Sequence, residues 1–185
     1  MIKETIKDAE SRMKGAVHTL EEDLAGIRTG RANPALVERI EVEYYGSPVQ
    51  LNQLATISIP EPRQILIRPF DATSIKVIER AIIASDLGIM PNNDGKVIRL
   101  NLPPLNEERR RELVKVTNTR LEEARVACRN VRRDVIKDLK EYEKEKLISE
   151  DDLKRAEEEL QKVIEFFIDE IENVGERKNA EIMEV

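Results

Sequence analysis

The chain has 185 residues, a net charge of −6 and 37% charged residues, but only 3% aromatics and no tryptophan. That length holds one ordinary domain or two small ones, and the abundance of Ala, Leu, Glu, Lys and Arg is the composition of long helices. One cysteine (Cys128) and one histidine (His18) leave no disulfide framework and no thiolate metal cluster. The opening MIKETIKDAESRM lacks an apolar leader, and no apolar run reaches the roughly 18 residues of a membrane span, so a cytoplasmic protein is expected.

Ile2, Ile6, Ala9, Met13, Val17, Leu20, Leu24 and Ile27 recur at steps of three and four, one face of a first helix. Gly30 follows as a candidate C′ residue. The period then changes. Ile40, Val42 and Tyr44 alternate with Glu41 and Glu43 as a strand that ends in the turn YYGSP. LATISI (Leu54–Ile59) and QILIRPF read as two further strands around the breaker Pro-Glu-Pro. Asp71 is placed to cap a helix from about Ala72 to Leu87, stopped by Gly88. NNDGK is a turn, and Val97 to Leu102 alternates as a last strand before Pro103-Pro104.

From Asn106 helical spacing returns for about 40 residues. Leu113, Val116, Leu121, Ala124, Cys128, Val131, Val135, Leu139 and Tyr142 share a face. Ser149 with Asp152 three residues on is a capping-box start for a third helix, whose stripe is Leu153, Ala156, Leu160, Val163, Phe167, Ile171 and Val174.

The first stripe has nothing local to bury it, so it must share a core with the other two. At about 1.5 Å per residue the second helix would be roughly 60 Å long and the others roughly 40 to 50 Å. The expected fold is therefore α+β: an elongated antiparallel three-helix bundle (1–30 plus 105–185) carrying an inserted β/α/β domain (31–104). The two connections, near 30–34 and 103–105, form a plausible hinge, with Gly30, Pro34, Pro103 and Pro104 as its candidate residues.

Catalysis has little to work with. The chain holds no G-x-G-x-x-G, P-loop or H-E-x-x-H. His18 reads as a surface residue and Cys128 as a small buried hydrophobe. The carboxylates form solvated helix faces without an evident acid–base pair. A non-enzyme is expected, with no cofactor and no metal.

Charge is the informative feature. Residues 109–133 carry nine bases against three acids, whereas residues 150–185 carry thirteen acids against five bases. Arg125, Arg129 and Arg133 form a like-charge i, i+4, i+8 ladder with Arg132 beside it, and each such pair costs a helix about 0.2–0.5 kcal/mol. Only Glu122 offers relief on the same face, and Arg111 extends the stripe. A solvated face of ion pairs fits this poorly. The planar guanidinium suits phosphate, and a straight helix lays such groups along an RNA phosphate ridge without reading bases. Scarce aromatics argue against single-strand stacking modes.

Several long motifs carry a resemblance. IRTGRANPALVERIEVEYYGS (Ile27–Ser47), QLATISI (Gln53–Ile59), ASDLG (Ala84–Gly88), the PPLNEERR run ending at Arg110 and EARVACRNVRRD (Glu123–Asp134) resemble the bacterial ribosome recycling factor family over nearly the whole chain. The resemblance implies an L-shaped, tRNA-like arrangement of bundle and inserted domain. It further implies action after translation termination, with elongation factor G and GTP hydrolysed by that factor, to split the ribosome into subunits. Initiation factor 3 is an implied downstream partner. By the same resemblance Arg129, Arg132, Arg133 and Arg110 contact large-subunit ribosomal RNA (rRNA), Arg125 lies in the same motif, and Arg28 and Arg31 of RTGR either contact rRNA or organise the hinge. A monomer without membrane contact is expected. The competing reading is a non-enzymatic helical adaptor or oligomerising bundle whose arginines bind an acidic protein, since an internal core and an intermolecular coiled coil share one sequence pattern.

Overall fold

The structure, a computed structural model, describes residues 1–184; Val185, the last residue of the expected helical domain, lies outside the described residues. In chain order the elements are α1 (Ile2–Ala25), β1 (Glu41–Tyr44), β2 (Ser47–Gln50), the single turn α2 (Leu51–Leu54), β3 (Ala55–Glu61) and β4 (Gln64–Pro69). There follow α3 (Ile75–Ala84), β5 (Asn92–Asn93), β6 (Ile98–Asn101), α4 (Glu107–Lys144) and α5 (Glu150–Met183). They form two compact units: Met1–Leu24 with Glu112–Ala180, and Ala25–Arg111 with the residues from Glu181 onward.

The first unit is a three-helix bundle. Its core takes Ile6, Ala9, Met13, Val17, Leu20 and Leu24 from α1, and Leu113, Leu121, Ala124, Cys128, Val131, Val135 and Leu139 from α4. Arg12 of α1 pairs with Asp134 of α4 at 3.0 Å, while Asp23 of α1 acts on Arg120 of α4, so the two run antiparallel. Arg125 of α4 pairs with Glu172 of α5, and Leu121 meets Gly175 further along, so that pair is antiparallel too.

Several positions differ from the expected stripes, Tyr142 and Leu153 among them, which are half-buried. Val116 is 43% exposed and Thr117 takes its place in the core, because burial follows the helical steps of four, four and three along Leu113–Thr117–Leu121–Ala124 rather than side-chain type. On α5 the core takes Ile164, while Val163 and Phe167 are half-buried. That helix touches two neighbours, so its apolar surface is broader than one seam.

The α4–α5 turn is strongly specified. Lys146 adopts φ 61°, its N–H donates to the Glu143 carbonyl and the Leu147 N–H donates to Tyr142, each at 2.9 Å, which is a Schellman closure with lysine in the usual glycine position. Ser149 then caps α5. Its hydroxyl accepts from the Asp152 N–H at 3.1 Å, and the Asp152 carboxylate accepts from the Ser149 hydroxyl at 2.6 Å and its N–H at 3.1 Å. Those donors hold the Asp152 carboxyl below its ordinary pKa.

The second unit joins a β1–β2 hairpin to an antiparallel sheet of order β3-β4-β6-β5. Strand β2 departs from the expected elements. Tyr44 pairs with Ser47 across a two-residue loop in which Tyr45 (φ 49°) and Gly46 (φ 78°) are both left-handed, the conformation that lets a tight hairpin follow the strand twist. Pro48 is tolerated because β2 has a partner on one side only. Leu54 ends α2 rather than opening β3. Ile65, Ile67, Ile98 and Leu100 alternate inward and meet Ile75, Ile78 and Ile82 of α3, with Val37, Val42 and Leu51 completing the core. Asp71 caps a 3-10 turn (Ala72–Ser74) ahead of α3 by accepting from the Thr73 N–H at 3.0 Å.

Helix α1 stops at Ala25, before Gly26, so Gly30 does not close it. Beyond it, the Thr29 hydroxyl donates to Glu181 at 2.7 Å and Arg31 pairs with Glu184 at 2.6 Å. The Ala32 N–H donates to the Pro62 carbonyl and the Leu102 N–H to the Arg63 carbonyl, which gathers residues 25–30 and 102–111 into this unit.

Gly175 costs α5 about 1 kcal/mol in helix propensity. Its place is explained by close approach: a Cβ there would clash with the Leu121 side chain. Gly175→Val is expected to destabilise the protein by about 1–3 kcal/mol through overpacking, read as a lower urea midpoint at unchanged m-value.

Candidate nucleic-acid interface

The arginines of α4 do not form one uniform row. Successive residues turn by about 100°, so Arg125 and Arg132 flank the buried stripe while Arg129 and Arg133 stand progressively further round. Arg125 is only 22% exposed, and its guanidinium donates to Glu172 of α5 at 2.7 Å and to Glu122 at 3.0 Å. It is committed to the bundle. Arg129 donates to the other Glu122 oxygen at 3.1 Å and is 59% exposed. Donation by Arg125 first, and by Arg129 in addition, holds the Glu122 carboxyl below its ordinary pKa.

Arg132 and Arg133 differ from these. Arg132 is half-buried, makes no ion pair with a described carboxylate, and keeps its Nε hidden without an acceptor. With Arg129 it lines a groove of about 690 Å³ between α4 and α5, whose far side carries Gln161, Glu165 and Asp169. Arg133 is exposed and donates to the neutral Asn130 side chain at 2.6 Å. Arg111, expected to extend the row, pairs with Glu107 at 3.3 Å. Arg132 and Arg133 thus keep no carboxylate partner among the described residues, while Arg129, which lines the groove with Arg132, is held by Glu122.

The remaining candidates lie in the second unit. Arg110 is half-buried with its Nε unpaired, and shares a cavity of about 450 Å³ with Gly30, Arg31, Pro104, Glu181 and Glu184. Arg31 is held there by Glu184. Arg28 is half-buried and forms no hydrogen bond or ion pair with a described residue. Pro34 opens a 3-10 turn capped by Asn33, which accepts from the Ala35 N–H at 2.9 Å. Pro103 and Pro104 are exposed, just ahead of Asn106, whose side chain caps α4 by accepting from the Arg109 N–H at 2.8 Å.

His18 stands 70% exposed, 3.4 Å from Glu22. Cys128 is fully buried, and burial pushes its thiol pKa up, away from the reactive thiolate. Among the described residues no cluster of His, Cys, Asp and Glu could hold a metal ion, and no helix is long and apolar enough to cross a membrane. Sequence reasoning missed Glu172, the residue that removes Arg125 from the surface. A signal existed: Arg125 and Glu172 lie equally far from the capped α4–α5 turn, where an antiparallel helical hairpin places partners.

Known proteins decide the family. The sequence profile described as ribosome recycling factor matches residues 20–183. The chain belongs to the ribosome recycling factor family. The ribosome-recycling factor of Symbiobacterium thermophilum is 55% identical and that of Syntrophomonas wolfei 56%, each over 100% of both chains. A solution structure of the ribosome recycling factor superposes with TM-score 0.81 at 49% identity, covering 100% of this chain and 98% of that one. A second structure, of the T. thermophilus ribosome recycling factor and E. coli elongation factor G bound to the E. coli post-termination complex, gives TM-score 0.70 at 46% identity over 100% of both chains. Ribosome recycling factors are translation factors and not enzymes, and the α+β architecture of this chain is that of their solved structures.

The division of labour among the arginines is measurable in stability. Arg125→Ala is expected to cost about 1.5–3 kcal/mol, the range for hydrogen bonds to charged groups. Arg133→Ala, on the open surface, should stay within about 0.5 kcal/mol of wild type. Thermal denaturation of the two variants checks the contrast.

Proposed function

We propose that this chain binds the post-termination ribosome by gripping phosphates of large-subunit rRNA with Arg129, Arg132 and Arg133. With elongation factor G, which hydrolyses GTP, it then promotes separation of the subunits, leaving them for initiation factor 3. The chain itself uses no cofactor and works as a monomer. The observation that carries the reading is Arg132: a half-buried guanidinium with a hidden donor and no carboxylate partner among the described residues. The terminal Nη donors of that guanidinium are the ones a phosphate oxygen can meet, and charge-assisted bonds of this kind are about twice as strong as neutral ones.

Monomeric action is supported by the bundle core. Most of the apolar stripes of α1, α4 and α5 is buried inside one chain, so among the described residues little of them is left for a coiled-coil partner. Splitting requires that the factor favour separated subunits over joined ones, because a ligand with equal affinity for both states shifts nothing. Arg110, Arg28 and Arg31 extend the contact from the second unit. We further propose that Gly30, Pro34, Pro103 and Pro104 act as the hinge through which elongation factor G drives the separation.

Arg132→Ala should weaken ribosome binding about tenfold or more, leave helicity and melting temperature nearly unchanged, and reduce the slope of log affinity against log salt by about 1. Sedimentation of ribosomes with the variant at two salt concentrations tests this, and unchanged affinity would overturn the rRNA grip. Replacing Pro103 and Pro104 together by Gly should reduce subunit release with elongation factor G and GTP severalfold while ribosome binding stays intact. Full release by that variant would rule out the hinge assignment.

A further inference from the structure

The chain contains three Phe and three Tyr. One of these few rings, Phe166, stands 59% exposed on the regular helix α5. Phe167 meets it edge-on, with centroids 5.2 Å apart and planes at 83°. The two rings and Val163 line a groove of about 660 Å³ between α1 and α5, which also carries Lys7, Lys14 and Lys162. None of these three lysines forms an ion pair with a described residue. Glu10 and Glu159 border the same groove, also without such a pair. The groove lies at the level of the arginine edge: Ile164 and Glu165 of α5 face Arg129 and Arg132, and the next residue is Phe166.

Aromatics are too few for a run of stacked bases, but one exposed ring suffices for one base: we infer that Phe166 is a stacking platform for one unpaired base of rRNA, with the phosphates on either side of that base held by Lys7, Lys14 and Lys162. This rests on the rRNA-binding reading above and adds a second point of contact across α5. An aromatic face stacks any base, and neighbouring cations follow the backbone, which is how single-stranded segments are held without sequence readout. Phe167 restricts the ring and so lowers the entropy lost when a base settles on it. Lysine is depleted at protein–protein interfaces, whose aromatic anchors sit in desolvated pockets. A ring open to water among three free ammonium groups matches nucleic acid better than protein.

The test uses the full-length protein and post-termination ribosomes, with Arg132→Ala measured in parallel. Phe166→Ala and Phe166→Leu should each weaken binding about tenfold, the equivalent of about 1.4 kcal/mol, at unchanged helicity. Phe166→Trp supplies the chain's sole indole, and its emission should be quenched as ribosomes are added, because a base stacks on it. The inference stands only if both losses and the quenching are found. Wild-type affinity of Phe166→Leu would show that apolar bulk suffices, and a blue shift without quenching would indicate a protein partner; either overturns it. Unchanged emission would place the ring in solvent and overturn it as well. A loss with Arg132→Ala but none with the Phe166 variants removes the platform alone. No loss with any of them removes the rRNA grip itself.

Discussion

The ion pair of Arg125 with Glu172 sets how α4 lies along α5, and the rest of the candidate interface depends on that registration. It works together with the contact of Leu121 on Gly175, where a side chain on α5 would keep the helices apart. With α4 seated in this way, Arg132 is left at the edge of the groove, partly covered and without a carboxylate partner among the described residues. A guanidinium placed so has lost part of its hydration before any ligand arrives. Its ordering has been achieved during folding, and less remains to be lost on binding. On the same helix Arg125 is thus spent on the bundle, while Arg132 and Arg133 keep no carboxylate partner among the described residues.

Much of this was legible in the sequence, because the signals were local. Spacing of three and four residues located α1, α4 and α5, and Ser149 with Asp152 marked the start of α5 to the residue. Alternation found β4 and β6, whose inward residues Ile65, Ile67, Ile98 and Leu100 carry one face of the sheet. Failures came where tertiary neighbours decide. Thr117 is in the core because it lies on the buried stripe between Leu113 and Leu121, whereas side-chain chemistry alone favours Val116. Strand β2 is hidden in sequence because Tyr45 occupies a left-handed position usually given to Gly or Asn. The arginine row looks uniform in sequence because the relief available to Arg125 sits 47 residues away, on another helix.

The resemblance and the residue-by-residue reading support each other at different scales. Identity above half over the full length of relatives fixes the family, and with it the kind of work the chain does. It does not distinguish one arginine of a motif from the next. The geometry makes that distinction: within EARVACRNVRRD, Arg125 faces inward to Glu172 while Arg133 faces solvent beside a neutral amide. A motif shared as a block thus contains residues that serve unlike physical ends.

The acidic helix beside the arginine edge is part of the same logic. Glu165 and Asp169 line the groove with Arg129 and Arg132 yet form no ion pair with Arg132. Two carboxylates on the facing wall weaken attraction for any polyanion that approaches loosely, since long-range attraction depends on the summed field. They weaken much less a phosphate seated directly against the guanidinium, where close contact dominates and screening is reduced. Under the proposed function, a chain of net charge −6 gains little from nonspecific contact with RNA and most from one well-fitted docking. If the proposed rRNA grip holds, that balance serves docking on one state of the ribosome, and departure from it, better than a uniformly basic face would.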